Sequence, residues 1–215
     1  VDMIFNIPNQ NLAIWEKNLE QVIKLNPDHI SSYSLTVEPN TLLHNKVLDG
    51  SINMPSKKID LTMFEFCQQY LNSNGYKQYE ISSYAKKNME CKHNLHYWNL
   101  EPYLAFGPSA HGYDGYKRYW NTPSLQIYLE KLKRNKSPVV DKEILSKTDH
   151  YNEAVFNGLR TSSGIPLQKI NAYNTNHSYK KWSDQLEIKK DRISLKMNQY
   201  KYADEIASDL MILDE

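Results

Sequence analysis

The sequence predicts an α/β fold followed by a small, helix-rich domain. Three observations carry that reading. The stretch Val1–Asn40 runs strand, helix, strand, the repeat of parallel-sheet proteins. A helix, two strands and another helix follow as far as Leu132. Beyond Pro138 the texture changes to short helices around one hairpin, which suggests a winged-helix-like end. The expected division is therefore residues 1–138 and residues 139–215.

Each element has a local reason. "VDMIFNI" is short, apolar and stopped by Pro8, which reads as a buried strand. Val1 has no methionine before it, so the chain is expected to be part of a longer protein. In "NLAIWEKNLEQVIKL", Leu12, Trp15, Leu19, Val22 and Ile23 recur at helical spacing, Asn11 can cap the first turn, and Asn26-Pro27 ends it. "HISSYSLTVEP" alternates, with Tyr33, Leu35 and Val37 on one face and Ser32, Ser34 and Thr36 on the other. That hydroxyl face suits either a polar ligand or a sheet crowded by helices. Ligands in such folds gather at the carboxyl ends of strands, here "NIPNQ" and "TVEPN".

The next helix is "SKKIDLTMFEFCQQYLNSNGY", with Ser56 as cap, a stripe of Ile59, Met63, Phe66 and Tyr70, and Gly75 at the left-handed C′ position. Cys67 falls inside it and reads as core. "YKQYEISSYA" and "YLAFGPSAHGY" read as strands, the second running into a Gly-Pro loop. "TPSLQIYLEKL" predicts a helix with Thr122 as cap and Pro123 at its first position. "TDHYNEAVFNGLRT", "PLQKINAYN" and "KYADEIASDLM" read as helices, and "LEIKKDRISLK" as a hairpin turning at Lys190-Asp191.

Bulk properties bound the function. Over 215 residues, 40% hydrophobic and 24% charged content suits a soluble globular protein. A formal net charge of +1 gives no general drive towards nucleic acid or acidic membranes. No apolar run approaches the ~20 residues of a membrane span, and no signal segment is visible. Two cysteines cannot build a disulfide framework, so a cytoplasmic setting is expected. Sixteen tyrosines suit a ligand cleft or an ordinary core.

One segment concentrates donor atoms. "CKHNLHYWNL" holds Cys91, His93, His96, Tyr97 and Trp98. A closed zinc site wants four ligands, and no second pair such as C-x2-C exists. On a strand or loop, residues 91 and 93 would point together and His96 away. A ligand pocket is the second reading, with His93 on a heme iron and Tyr97 and Trp98 packing on the porphyrin. A structural loop anchored by Trp98 is the third, and chemistry alone favours it. "FGPSAHGY" lacks the spacing of a phosphate loop, and His111 reads as structural. In the C-terminal part, Lys180, Lys181, Lys189, Lys190 and Arg192 are interleaved with Asp184, Glu187 and Asp191, so no nucleic-acid stripe emerges.

Taken together, several motifs resemble one family. "VDMIFNIPNQN" is similar to the D-L-I-Y-G-L-P-x-Q-T strand of oxygen-independent coproporphyrinogen III oxidases and their heme-chaperone relatives, the HemN/HemW family of radical SAM proteins. "LNPDHISSYSLTVEPNT", "GYKQYEISSYA", "CKHNLHYW", "YLAFGPSAHGY", "GLRTSSGI" and "ADEIASDL" resemble its later motifs, in order. The resemblance implies the C-terminal part of a partial (β/α)6 barrel, a sheet extension and a small C-terminal domain. It implies a 4Fe-4S cluster and S-adenosylmethionine in the full-length protein. The H-N-x-x-Y-W motif is similar to the heme-chaperone branch, which implies His93 as iron ligand, heme or porphyrin as cargo and heme-accepting proteins as partners. Asp2 and Thr36 fall where the family contacts S-adenosylmethionine. The alternative is the oxidase itself, which decarboxylates two propionates of coproporphyrinogen III. A non-enzymatic nucleic-acid-binding protein is a further alternative.

The departures are specific. The family's C-x3-C-x2-C motif is absent, so this chain alone is expected to be inactive in radical chemistry and to hold no cluster. Asn6 stands where the family has glycine, and Asn11 where it has threonine. An incomplete barrel leaves a strand edge open, which predicts a homodimer through that edge.

Overall fold

The computed structural model describes residues 1–173 and 177–212. They form two compact units, each assembled from separated stretches of chain. The first contains Val1–Cys91, Arg160–Ser163 and Leu195–Ala203, and the second Lys92–Leu159, Gly164–Ser194 and the described residues from Asp204 on.

In the first unit, β1 (Asp2–Phe5) and β2 (His29–Ser34) are parallel, with Asp2 opposite Ser31 and Phe5 opposite Ser34. The connecting helix α1 (Leu12–Leu25) buries Trp15, Leu19 and Val22, the predicted stripe. Asn11 caps it by accepting the Ile14 amide, and Asn26 closes it at φ 52°. After the short helix α2 (Leu42–Leu48) comes α3 (Lys57–Ser73), capped by Ser56. Gly75, at φ 86°, ends α3 in a Schellman motif: its own amide reaches Asn72 O, and the Tyr76 amide reaches Leu71 O at 3.0 Å. The α3 face that reaches the core is Met63, Cys67 and Leu71; Ile59 of the predicted stripe is 41% exposed. Phe5, Ile30 and Tyr84 from the sheet meet Trp15, Leu19, Met63 and Leu71 in one core.

"YKQYEISSYA" is not one strand but two, β3 (Lys77–Glu80) and β4 (Ser83–Ala85), folded back antiparallel. The sheet order is β1-β2-β4-β3, so β1 is an edge strand. Strand β2 ends at Ser34, short of the predicted alternation through Val37. Its hydroxyl face lies against α3: Cys67 Sγ donates to Ser32 Oγ, and Ser34 Oγ donates to Asp60 at 2.7 Å. Helix packing is thus realised at Ser32 and Ser34, while Thr36 of the same face is exposed.

In the second unit, α4 (Lys92–Trp98) precedes the antiparallel sheet of β5 (His111–Tyr113), β6 (Lys117–Asn121) and β7 (Val139–Ile144). Most of the predicted strand "YLAFGPSAHGY" is loop. Gly107 at φ 101° and Ser109 at φ 57° break it, so only its end is strand, as β5, and Tyr103 joins it through a single bridge to Tyr113. Helix α5 (Leu125–Lys133) is capped by Ser124 rather than Thr122. Thr122 is buried because it extends the β6–β7 pairing, its amide donating to Pro138 O at 3.0 Å.

Helices α6 (Lys147–Leu159), α7 (Leu167–Asn171) and α8 (Ala203–Leu210) surround a small sheet in which β10 (Arg192–Leu195) lies between β8 (Ile165–Pro166) and β9 (Leu186–Lys189). Asn174, the end of the predicted "PLQKINAYN" helix, lies outside the described residues. The β9–β10 turn is at Lys190 and Asp191, both left-handed at φ 49° and 59°, the type I′ geometry that matches strand twist. Tyr151 ties α6 to the last helix by donating to Leu210 O at 3.0 Å.

Candidate functional site

The donor-rich segment folds as a helix, α4, and that changes which side chains meet. "KHNLHYW" has no glycine, proline or β-branched residue to oppose helix formation. The chain turns out of the helix at Leu100, whose φ of 57° places a side chain in the left-handed region at a cost of ~1–3 kcal/mol. The Leu100 amide donates to Tyr97 O and the Glu101 amide to His96 O, closing the helix before Pro102. Positions 93, 96 and 97 then share one face, three and four residues apart. The strand-parity expectation that His96 points away from His93 is overturned, because the repeat here is helical.

The two histidines differ in what holds them. His96 places Nε2 2.9 Å from Pro102 O and Nδ1 2.7 Å from a Glu101 carboxylate oxygen. Both nitrogens are engaged, so the ring is a staple between helix and loop. His93 meets the Tyr97 ring edge to face at 4.9 Å between centroids, and neither of its nitrogens has a hydrogen-bond partner among the described residues. An imidazole binds metal through a free ring nitrogen, so His93 is the available ligand on α4.

His93, His96 and Tyr97 line an open cleft of about 850 Å³, completed by the loop 102–106, Ala110 and His111. That is within the size range of cofactor sites. The loop presents Leu104 and Phe106, which are 70% and 80% exposed, at the mouth of the cleft. Behind the cleft the aromatic contacts continue, Tyr97 to Tyr103 at 4.6 Å and Tyr103 to Tyr113 at 6.2 Å. Burial raises the hydroxyl pKa of both Tyr103 and Tyr113, so they remain neutral phenols.

Trp98 does not join His93. It lines a second cavity of about 230 Å³ with Asn94, Tyr113, Arg118 and Asn157, and Tyr97 borders both spaces. Arg118 pairs with Glu153 at 2.6 Å. Burial raises the Glu153 pKa, and the guanidinium pulls it back down. Sequence reasoning missed His111, Leu104 and Phe106 as cleft residues. The usable signal was H-x-x-H, which places two rings together only when read at helical period.

The other predicted residues lie in the first unit. Asp2 is exposed at the start of β1, beside a shallow cleft of about 350 Å³ bordered by Trp15, Asn18 and Gln21. Thr36 is exposed, two residues beyond the carboxyl end of β2. Since Asp2 pairs with Ser31, the two sit at opposite ends of the strand pair and are not brought together. Asn6, standing where a glycine is expected, keeps a glycine-like φ of 61°, which asparagine tolerates better than other side chains. It is buried and donates to Ser34 Oγ at 3.3 Å.

The residues present do not fit an iron–sulfur cluster, which needs three or four thiolates. Cys67 is buried, with its thiol pKa pushed up to about 11 by that burial, and Cys91 is exposed. Among the described residues no group of three His, Cys, Asp or Glu side chains is placed to hold a metal ion. Nor is any of their helices long and apolar enough to cross a membrane.

No family model matches the chain. Individual proteins do. Heme chaperone HemW of Bacillus subtilis is 34% identical over 170 residues, 79% of this chain and 45% of that protein. HemW of Buchnera aphidicola (Schizaphis graminum) is 46% identical over 112 residues, 52% of this chain and 29% of that protein. The mitochondrial radical S-adenosyl methionine domain-containing protein 1 of Danio rerio is 30% identical over 176 residues, 78% of this chain and 40% of that protein. The chain thus spans less than half the length of these curated relatives. Among solved structures, the coproporphyrinogen III oxidase HemN of Escherichia coli, a radical SAM enzyme, has the same fold at a TM-score of 0.73 and 17% identity, over 98% of this chain and 54% of that one. Sequence and fold point the same way, and the chain belongs to the HemN/HemW-like family.

Proposed function

We propose that this chain is the heme-holding part of a radical SAM heme chaperone-like protein that carries heme for delivery to other proteins. One observation carries the reading: His93, whose ring nitrogens have no hydrogen-bond partner among the described residues, lines an open cleft of about 850 Å³ that also displays Leu104 and Phe106. His93 would give its lone pair to the heme iron. Tyr97 would pack against the macrocycle, and Leu104 and Phe106 would cover its apolar face. The His96 staple to Glu101 and Pro102 holds the cleft wall in place before the cargo arrives. Openness suits a carrier, because an acceptor protein can reach the heme from solvent. Trp98 supports this wall from the neighbouring cavity rather than touching the cargo.

In the family the cluster and S-adenosylmethionine belong to a fuller barrel, of which β1 and β2 would be the last two strands. The antiparallel strands β4 and β3 would then be the sheet extension, and the small sheet β8-β10-β9 with its helices the winged-helix-like end. Asp2 and Thr36 would contact S-adenosylmethionine there. The cysteines of this chain cannot complete a cluster, so no radical step is assigned to its residues.

The fold shared with HemN favours a second reading, a porphyrinogen oxidase whose substrate is an iron-free macrocycle. Two titrations separate them. Ferric heme titrated into the full chain should shift its Soret band, and His93→Ala should weaken that binding by on the order of tenfold or more, ~1.4 kcal/mol per tenfold. Metal-free porphyrin should bind the unmodified chain and His93→Ala alike. Equal heme affinity for both proteins would remove iron ligation by His93.

A further inference from the structure

Resting on that reading, we propose that His111 is a second axial ligand, so that the cleft holds heme iron between two histidines. Three imidazoles line the cleft, those of His93, His96 and His111. His96 is spent on Pro102 and Glu101. His93 and His111 are not: no hydrogen bond engages either ring among the described residues. They come from different elements, α4 and the first residue of β5, and both line the same cleft.

The neighbourhood of His111 orients its ring. His111 is directly opposite Trp120 in the β5–β6 ladder, and the two rings stack at 5.6 Å with planes 28° apart. Stacking on a larger aromatic fixes the plane of the imidazole and leaves the nitrogens at its edge free. Gly112, the next residue, lies against the Tyr119 ring, where a Cβ would meet the ring's outer atoms. The backbone before it, with Ser109 at φ 57°, turns between Phe106 and His111, both of which line the cleft.

Two imidazoles saturate the iron, leaving no open position for oxygen or water. A carried heme is thereby kept from side reactions. An acceptor gains it by replacing one histidine at a time, a path that needs no empty site on the carrier.

The test is the spin state of ferric heme bound to the full chain, read by electron paramagnetic resonance and optical spectra. The unmodified chain should give a low-spin, six-coordinate complex. His111→Ala should turn it high-spin and weaken affinity about tenfold. His111→Gln, which keeps size and polarity at this exposed position, should do the same, showing that the loss is of a ligand and not of the fold. His44→Ala, in the other unit, should leave the spectrum unchanged. If heme binds but is high-spin in the unmodified chain, or stays low-spin in both His111 variants, the second-ligand assignment is overturned while heme binding stands. If the unmodified chain takes up no heme, the underlying reading fails and this one falls with it.

Discussion

His29 opens β2 with Nε2 2.8 Å from the Tyr79 hydroxyl, and burial lowers its pKa while the Asp2 carboxylate works weakly against that shift. A histidine with a depressed pKa binds fewer protons folded than unfolded, so stability rises with pH across the interval between the two values. Its contribution is present above the unfolded value near ~6.5 and is lost as pH falls towards the folded value. Urea midpoints measured from pH 7 down to pH 5 should therefore fall, and His29→Gln should flatten that part of the curve. An identical slope in the variant would remove His29 as the cause. Residue roles of this kind were legible where the physics is local. Asn11, Ser56 and Gly75 act as expected because a cap depends on a few neighbouring amides. His96 was not legible, because its direction depends on whether the segment repeats every two residues or every 3.6.

At the scale of elements, the misreadings share a cause. "YKQYEISSYA" and "YLAFGPSAHGY" are runs of strand-forming residues, and composition does not show where such a run folds back or breaks. The break falls after Glu80 in the first and around Gly107 and Ser109 in the second. The hairpin at Lys190-Asp191 was readable because alternation on both sides fixes its register. The start of β8 depends on Gly164, at φ 62°, whose Cβ would strike the Ile193 carbonyl, while its own carbonyl accepts from Arg192 at 2.6 Å. Gly164→Ala combines a disfavoured φ with that collision. It should cost ~1–3 kcal/mol, seen as a lower urea midpoint with an unchanged slope. A midpoint equal to that of the unmodified chain would show that the turn relaxes freely.

Across the whole molecule, the chain weaves between its two units instead of completing one and starting the next. The first unit takes late segments as structural parts. The Ser162 amide donates to Tyr79 O, Gln68 donates to Met197 O, and Lys201 pairs with Glu65 at 2.6 Å. Residues 1–91 alone hold the central core of that unit but lack these contacts. Expressed by themselves, they should unfold at lower urea than the full chain and exchange their β3 amides faster. Equal stability would show that the late segments are passengers. The family was readable at this scale because several motifs had to occur in order, and a candidate site followed from their positions. Its membership was not, because His111 and Phe106 reach the cleft through a loop whose course no periodic pattern records.

The weaving also sets a timetable for synthesis. A ribosome delivers Cys91 roughly 110 residues before Ala203, and at about 5–20 residues per second that delay is on the order of ten seconds. During it, the edge of β3 waits for Arg160–Ser163, and α3 waits longer, for Leu195–Ala203. The nascent chain thus carries an unfinished sheet edge while the second half is being made, and anything that stalls translation between those points lengthens the time for which that edge can pair with the wrong strand.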